Sequence, residues 1–418
     1  MDRRVPGARE RGEIVVGPYR GLFSTPGAKG FVIAGFIGRM PMSMLGIGVV
    51  LLISALTGSY ATAGAISATV SISYAVAAPL SGRLVDRYGQ ARVLVPLVLL
   101  HGAALVTLML LAEYDAPLWT LFASGVVVGG AATSLGSMVR ARWSHLLGRS
   151  ARLHTAFSFE SVADEVIFVA GPALVTGLTT LVNLYAGLIL ALVSTVVGTI
   201  AFALQRGTEP PVRPAGQQSG SPITIPGVAL LSCVFLAMGS VFGSVDLTTV
   251  AFAEEHGAKA VSGLLLGAFA SGSMVSGLWF GFRDWKITLR QRFVRGLAVF
   301  AVGLTPILLV GDTRIMAVVL FFAGLAISPT VITGYALVER LVPGHLLTEG
   351  MSWISTAVGF GVAIGAWAAG RLTDTFGPSN AYAFSFGCAL LAVAIGIGGN
   401  TLLRTPELAT TEARTTAS

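Results

Sequence analysis

Charge is scarce in this chain. Only 11% of its 418 residues are Asp, Glu, Lys or Arg, against about 25% in soluble domains. A water-soluble fold of this length would lack more than half the charge its surface needs. Cysteine is scarcer still. Cys233 and Cys388 both sit in apolar runs, and one possible pair is no disulfide framework; they read as small buried hydrophobes. The sequence has no G-x-x-x-x-G-K-[ST], no H-E-x-x-H and no C-x-x-C, so no nucleotide, zinc-protease or dithiol signature is present. Neither a cofactor nor a metal is expected. The alternating ten-residue segments of a membrane barrel are missing too.

What the chain has instead is hydrophobicity: 54% apolar residues and a mean hydropathy of +0.79. That balance describes a polytopic membrane protein embedded in a lipid bilayer. A membrane helix takes about 20 apolar residues. Runs of that size fall at 31–55, 60–81, 92–112, 118–139, 155–179, 184–204, 226–252, 261–282, 294–311, 315–338, 347–370 and 380–403. The expected fold is an all-α membrane protein with 12 transmembrane helices.

The segment before the first run is polar and holds Arg3, Arg4, Arg9, Arg11, Arg20 and Lys29. A secretory signal would place a short apolar stretch after such a segment; here the stretch is long and eleven others follow, so a tail and a retained span are expected. Of the 27 basic residues, 23 lie in the two tails and the even-numbered connectors, and only Lys259, Arg314 and Arg371 in the odd ones. Positive loops mark the cytoplasmic side, so both termini should be cytoplasmic. The net charge of +7 is then accounted for by loops, and no nucleic-acid partner is expected.

Residues 205–225 form the longest connector, with Pro210, Pro211, Pro214 and Pro222 among Gly and Ser. Such a composition reads as a linker. The expected organisation is a tail at 1–30, a six-helix bundle at 31–204, the linker at 205–225, a second bundle at 226–403 and a tail at 404–418. A slide of 194 residues aligns Ser158 with Ser352, Ser161 with Ser355, Ala163 with Ala357 and Gly171 with Gly365. This places the fifth run on the eleventh, as a duplicated six-helix unit requires.

The connector after the second run reads Gly82-Arg83-Leu84-Val85-Asp86-Arg87-Tyr88-Gly89-Gln90-Ala91-Arg92. It resembles the loop signature G-x-L-x-D-R-x-G-R-R/K of the major facilitator superfamily, through Gly82, Leu84, Asp86, Arg87 and Gly89. Gln90 and Ala91 stand where the family usually places basic residues, and Arg92 remains. Gly82 would allow close helix packing and Gly89 a tight turn. The resemblance spans roughly residues 30–403. It implies two pseudo-symmetric halves rocking about a midplane cavity, with Asp86 latching the start of the eleventh helix near Thr348 and Arg140 or Arg142 nearby.

In style the chain is nearest to bacterial drug and metabolite efflux permeases. That implies a monomeric exporter of small amphipathic cargo, driven by proton antiport across the bacterial cytoplasmic membrane, and not an enzyme. The alternatives are a sugar or metabolite permease, a transport-dead sensor or scaffold, and a membrane-embedded enzyme. Gly171-Pro172 in the fifth run resembles part of the antiporter motif G-x-x-x-G-P-x-x-G-G, with Ile167, Val175 and Thr176 replacing its other glycines; a helix kink is expected there.

Ionisable residues inside spans cost about 2.5–3.5 kcal/mol on insertion scales, so each is a functional hypothesis. Arg39, Glu160, Asp164, Glu165 and Asp246 qualify. Glu160 and Asp164 are four apart and share a helix face, with Glu165 about 100° further round. Arg39 and Asp164 lie roughly 12 and 14 Å into helices entering from the same side, so they can pair. The aligned positions in the eleventh run are Ile354, Val358 and Gly359, which makes the acids specific to one half. Three readings stay open: a neutralising ion pair, a proton or substrate site on the carboxylate left over, or charges at an exposed cytoplasmic end. Asp164 is the first choice for the proton, because it lies deeper than Glu160.

Overall fold

The structure is a computed structural model that describes residues 21–404 except 58–59, 149, 213–219, 258–260, 282, 284 and 286. Among the described residues it is helical throughout, because backbone N–H and C=O groups have no partner in hydrocarbon and must pair within their own segment. Twelve helices are long and apolar enough to cross a membrane: α1 Ala28–Thr57, α2 Thr62–Tyr88, α3 Gln90–Glu113, α4 Leu118–Leu147, α5 Arg152–Leu181, α6 Ala186–Leu204, α7 Pro226–Ala253, α8 Ser262–Gly281, α9 Leu289–Leu308, α10 Thr313–Leu341, α11 Gly344–Thr373 and α12 Pro378–Gly398. The tail residues 1–20 and 405–418 lie outside the described residues.

The helices run further than the apolar runs at their polar ends, and three are interrupted. The first helix breaks between Ala28–Arg39 and Pro41–Thr57, where Pro41 removes a backbone donor. The fourth breaks between Leu118–Gly130 and Leu135–Leu147. The tenth breaks between Thr313–Gly324 and Ile327–Leu341. α5 passes through Pro172 as one helix, Ala151–Leu181; Gly171 beside it gives Ser43 of α1 room that a Cβ would fill.

Small residues bring the helices close. Gly239 and Gly243 on α7 face Gly361 and Gly365 on α11, and a Cβ at any of them would strike the opposite backbone. Packing of this small-residue kind drives helix association where lipid removes the hydrophobic incentive.

The buried apolar side chains divide unevenly along the bundle. At the end carrying the even-numbered connectors, one cluster joins Phe31, Trp143, Phe157 and Phe202 to Phe235, Phe293, Ile354 and Met351. Toward the opposite end there are separate clusters, one around Val49, Leu52, Ile66 and Leu105, another around Val245, Phe269, Phe300 and Leu320. Among the described residues, the first six helices and the last six thus share an apolar core at one end and have separate ones toward the other.

Candidate functional site

Arg39 ends the first segment of α1, and its side chain is fully buried. A charge there needs compensation on every donor. Its Nε donates to the Gly35 carbonyl at 3.1 Å, one helical turn back. Nη2 lies 2.5 Å from Glu160 Oε2 and Nη1 2.6 Å from Asp164 Oδ1. The i, i+4 spacing on α5 turns both carboxylates toward one guanidinium.

A second arginine completes the group. Arg140 of α4 donates from Nη2 to Asp164 Oδ2 at 2.8 Å, and its guanidinium lies 4.4 Å from the Tyr335 ring centroid of α10. Trp143, one turn further along α4, donates from Nε1 to Glu160 Oε1 at 2.8 Å. All four carboxylate oxygens of Glu160 and Asp164 are therefore engaged, and two cations balance two anions.

Glu165 stands apart, for the reason its position on the helix gives. Rotated away from that face, it accepts at Oε1 from Ser273 Oγ of α8 at 2.6 Å. Ser273 in turn lies 2.9 Å from Ser328 of α10. This carboxylate thus sits where α5 of the first six helices meets α8 and α10 of the last six. No arginine reaches it. Asp246 on α7 has no hydrogen-bond or ion-pair partner among the described residues and joins neither group.

Asp164 lies one turn further along α5 than Glu160, yet its side chain keeps 20% exposure while that of Glu160 keeps none. Nor is it free, since two arginines hold it. The carboxylate left without a cation in this group is Glu165.

The other constellation lies at the α2–α3 turn. Asp86 Oδ1 accepts from the Thr348 N–H at 3.3 Å and Oδ2 from the Glu349 N–H at 2.9 Å. First-turn amides of a helix have no intrahelical acceptor, and a carboxylate there also meets the positive end of the helix dipole. Gly82 makes the approach possible: a Cβ would lie 2.9 Å from Glu349 Cα. Gly89 takes φ +92°, a conformation that L side chains disfavour, to turn the chain into α3.

Arg83 donates to both Glu349 oxygens, at 3.1 and 3.2 Å. Ser221 of the linker donates to the same carboxylate at 2.5 Å. His154 and Thr155 of α5 close the seam on the other side, against the Phe280 and Gly281 carbonyls of α8.

Neither Arg140 nor Arg142 stands at the Asp86 contact, contrary to expectation. Arg140 belongs to the ion-pair group. Arg142 donates to Gln90 Oε1 at 2.7 Å, Thr208 Oγ1 at 2.7 Å, and the Gln205 and Phe202 carbonyls at 2.9 and 3.0 Å. Gln90, which departs from the family's loop pattern, serves here as an acceptor for a buried arginine, a task a basic residue could not perform. Of the remaining loop residues, Leu84 is exposed, Arg87 lies over the Tyr88 ring at 5.1 Å, and Arg92 is exposed at the start of α3.

Sequence reasoning missed Trp143, Tyr335, Ser273 and the Arg83–Glu349 pair. Glu349 carried a signal, as a lone acid at the start of an apolar helix. Trp143, Tyr335 and Ser273 carried none, because uncharged residues inside a span look like packing. Among the described residues, no three His, Cys, Asp or Glu side chains gather as a metal site.

Twelve membrane-length helices with a shared core at one end and buried charges between them define a polytopic helical membrane protein. The family model described as Major Facilitator Superfamily matches residues 31–287 and 230–415, so this chain belongs to that family of transporters. Comparison with curated proteins returns no match.

Among solved structures it is similar to a bacterial homologue of the iron transporter ferroportin in an outward-facing state. That match has 18% identity and a TM-score of 0.72, covering 90% of this chain and 99% of that one. It is also similar to the human organic anion transporter MFSD10, with 15% identity and a TM-score of 0.68 over 91% of this chain and 100% of that one. FucP in its outward conformation matches with 10% identity and a TM-score of 0.66, over 88% and 97% of the two chains. At these identities the likeness is one of fold.

Proposed function

We propose that this transporter exports small amphipathic compounds in exchange for protons, by alternating access between halves 31–204 and 226–403 joined by the 205–225 linker. The observation that carries the reading is Glu165. It is an acid in the membrane interior, bound across the seam by a hydroxyl and by no cation. A group so placed can take up a proton at one orientation of the halves and release it at the other. The Arg39–Glu160–Asp164–Arg140 group is balanced and serves to hold α1, α4 and α5 together.

The uneven core supports the alternating-access part. The two halves meet at the even-connector end through the Asp86, Arg83 and Thr155 contacts, which would part as the opposite end closes. The distribution of basic residues supports cytoplasmic placement of that end, and of both termini, in a bacterial inner membrane. The apolar lining of the spans favours amphipathic cargo.

The deciding experiment is flux in proteoliposomes carrying an imposed pH gradient. The expected outcome is gradient-dependent cargo efflux that Glu165→Gln uncouples while leaving cargo binding in place. Flux indifferent to the gradient would point to a sugar or metabolite permease. Absence of flux for every cargo tried would point to a sensor or scaffold. Cysteine labelling of position 210 from the cytoplasmic side, with none from outside, is the companion test of orientation.

A further inference from the structure

A groove on the flank of the first six helices has no part in transport as described above. It encloses about 400 Å³ and is lined by Phe23, Lys29, Val32, Ile33, Phe36 and Phe159. Five of the six are apolar, and the sixth, Lys29, lines the groove with its aliphatic stem.

Its construction follows from the sequence. Lys29, Val32, Ile33 and Phe36 recur at i, i+3, i+4 and i+7, which puts them in one stripe on α1. Phe159 supplies the α5 wall. It precedes Glu160 by one residue, so it points about 100° away from the ion pair. Phe23 closes the end and meets Phe159 edge to face, with centroids 5.2 Å apart.

The turn carrying Phe23 is pinned in place. Leu22 is fully buried, Arg152 of α5 donates to the Gly21 carbonyl, and Ala28 N–H donates to the Thr25 carbonyl at 3.1 Å. The groove is therefore a built feature between fixed walls.

Two observations say what would fill it. Ile33, on its outer rim, is 61% exposed within the apolar span of α1, so the groove opens toward lipid. Lys29 is exposed in the first turn of α1, next to the polar segment that precedes the span, and a basic residue beside a span is attracted to anionic headgroups. The α1 N-terminus beside it has Gly27 as N-cap, with no side-chain cap and no acid in the first turn, so its dipole adds positive potential unopposed.

We propose that this groove is a binding site for an anionic phospholipid, with one acyl chain against Ile33, Phe36 and Phe159 and the headgroup phosphate on Lys29. A basic residue above an apolar slot between helices is the pairing that such a lipid needs. A zwitterionic lipid fills the slot equally but gains less from the lysine. A free phosphate gains the lysine but not the slot.

The test uses the purified full chain in detergent, loaded with phosphatidylglycerol or phosphatidylcholine and weighed intact by native mass spectrometry. Phosphatidylglycerol should be retained preferentially. Lys29→Gln should lower its retention about fivefold, the effect of one basic residue near an anionic surface, and leave phosphatidylcholine unchanged. Lys29→Arg should restore it. Ile33→Trp, which fills the slot without touching the charge, should lower retention of both lipids. Inorganic phosphate at millimolar concentration should displace neither.

Equal retention of the two lipids by the unaltered chain overturns the proposal. So does an unchanged phosphatidylglycerol signal in Lys29→Gln, or displacement by phosphate alone. Gel filtration and circular dichroism of each variant confirm that it is folded before it is weighed.

Discussion

The Arg39 guanidinium of α1 lies 2.5 Å from the Glu160 carboxylate of α5, with both side chains withdrawn from solvent. Removing one partner of such a pair leaves a buried charge, at about 3–5 kcal/mol. Arg39→Met should therefore lower stability by roughly that amount, read as a drop in the unfolding midpoint in detergent micelles. Arg39→Met with Glu160→Gln should recover part of the loss, since Arg140 still holds Asp164. A single variant as stable as the parent would mean that the pair neutralises nothing.

Glu165 and Asp164 are neighbours in sequence with opposite expectations. Glu165→Gln should abolish the response of cargo flux to a pH gradient while retaining cargo binding. Asp164→Asn should keep that response and lower stability, because two arginines lose their shared anion. Flux measured against imposed gradients, beside unfolding curves, separates the two. Full gradient-driven flux in Glu165→Gln would remove the proton role from this residue.

Asp86 holds the α11 N-terminus at two backbone amides. A carboxylate so placed is worth up to about 2 kcal/mol when partly buried, which moves a two-state population by roughly 5- to 30-fold. Asp86→Asn should thus leave insertion near normal, open this end more often and reduce transport. Gly82→Val should act in the same direction, because the added carbons meet the Glu349 backbone. Spin-label distances between α2 and α11 report the populations; an unchanged distribution with normal flux would take Asp86 out of the gate.

Asp312 caps the start of α10 outside the membrane, accepting from the Arg314 and Ile315 amides at 2.7 and 3.2 Å. These hydrogen bonds hold its carboxyl below the usual aspartate range. A depressed folded-state pKa means stability present above the unfolded value and lost as pH falls through the folded one. Asp312→Ala should therefore unfold earlier than the parent at pH 7, with the gap narrowing in acid. Unfolding midpoints at pH 7 and pH 3 check this; a gap constant with pH would rule out the ionised cap.

The spans were legible in the sequence because each must hide its backbone in an apolar run of fixed length, a constraint that acts locally. The Gly82–Arg92 turn was legible for two reasons: Gly89 answers a local backbone demand, and the Asp86 position was carried by the resemblance of the whole turn to the family's loop signature, since its partners lie on α11. Arg39 and the three α5 acids announced themselves by the cost of charge in lipid, and the i, i+4 spacing of Glu160 and Asp164 announced their common face.

Which cation meets which acid was a different matter. It depends on how α1, α4, α5, α8 and α10 pack, and no local rule says that Arg140 turns inward to Asp164 instead of outward to the loop. Nor could depth along one helix say that Asp164 is the more exposed acid, since exposure is set by the neighbouring helices. Ser273, Trp143 and Tyr335 carry no charge and follow no spacing, so only their arrival beside a carboxylate gives them a role. The sequence by itself determined the helices, their number and the residues too costly to be idle; the tertiary structure alone decided their partners, because hydrogen bonds and ion pairs act over about 3 Å between different helices, some of them 17 or 24 residues apart and others more than a hundred.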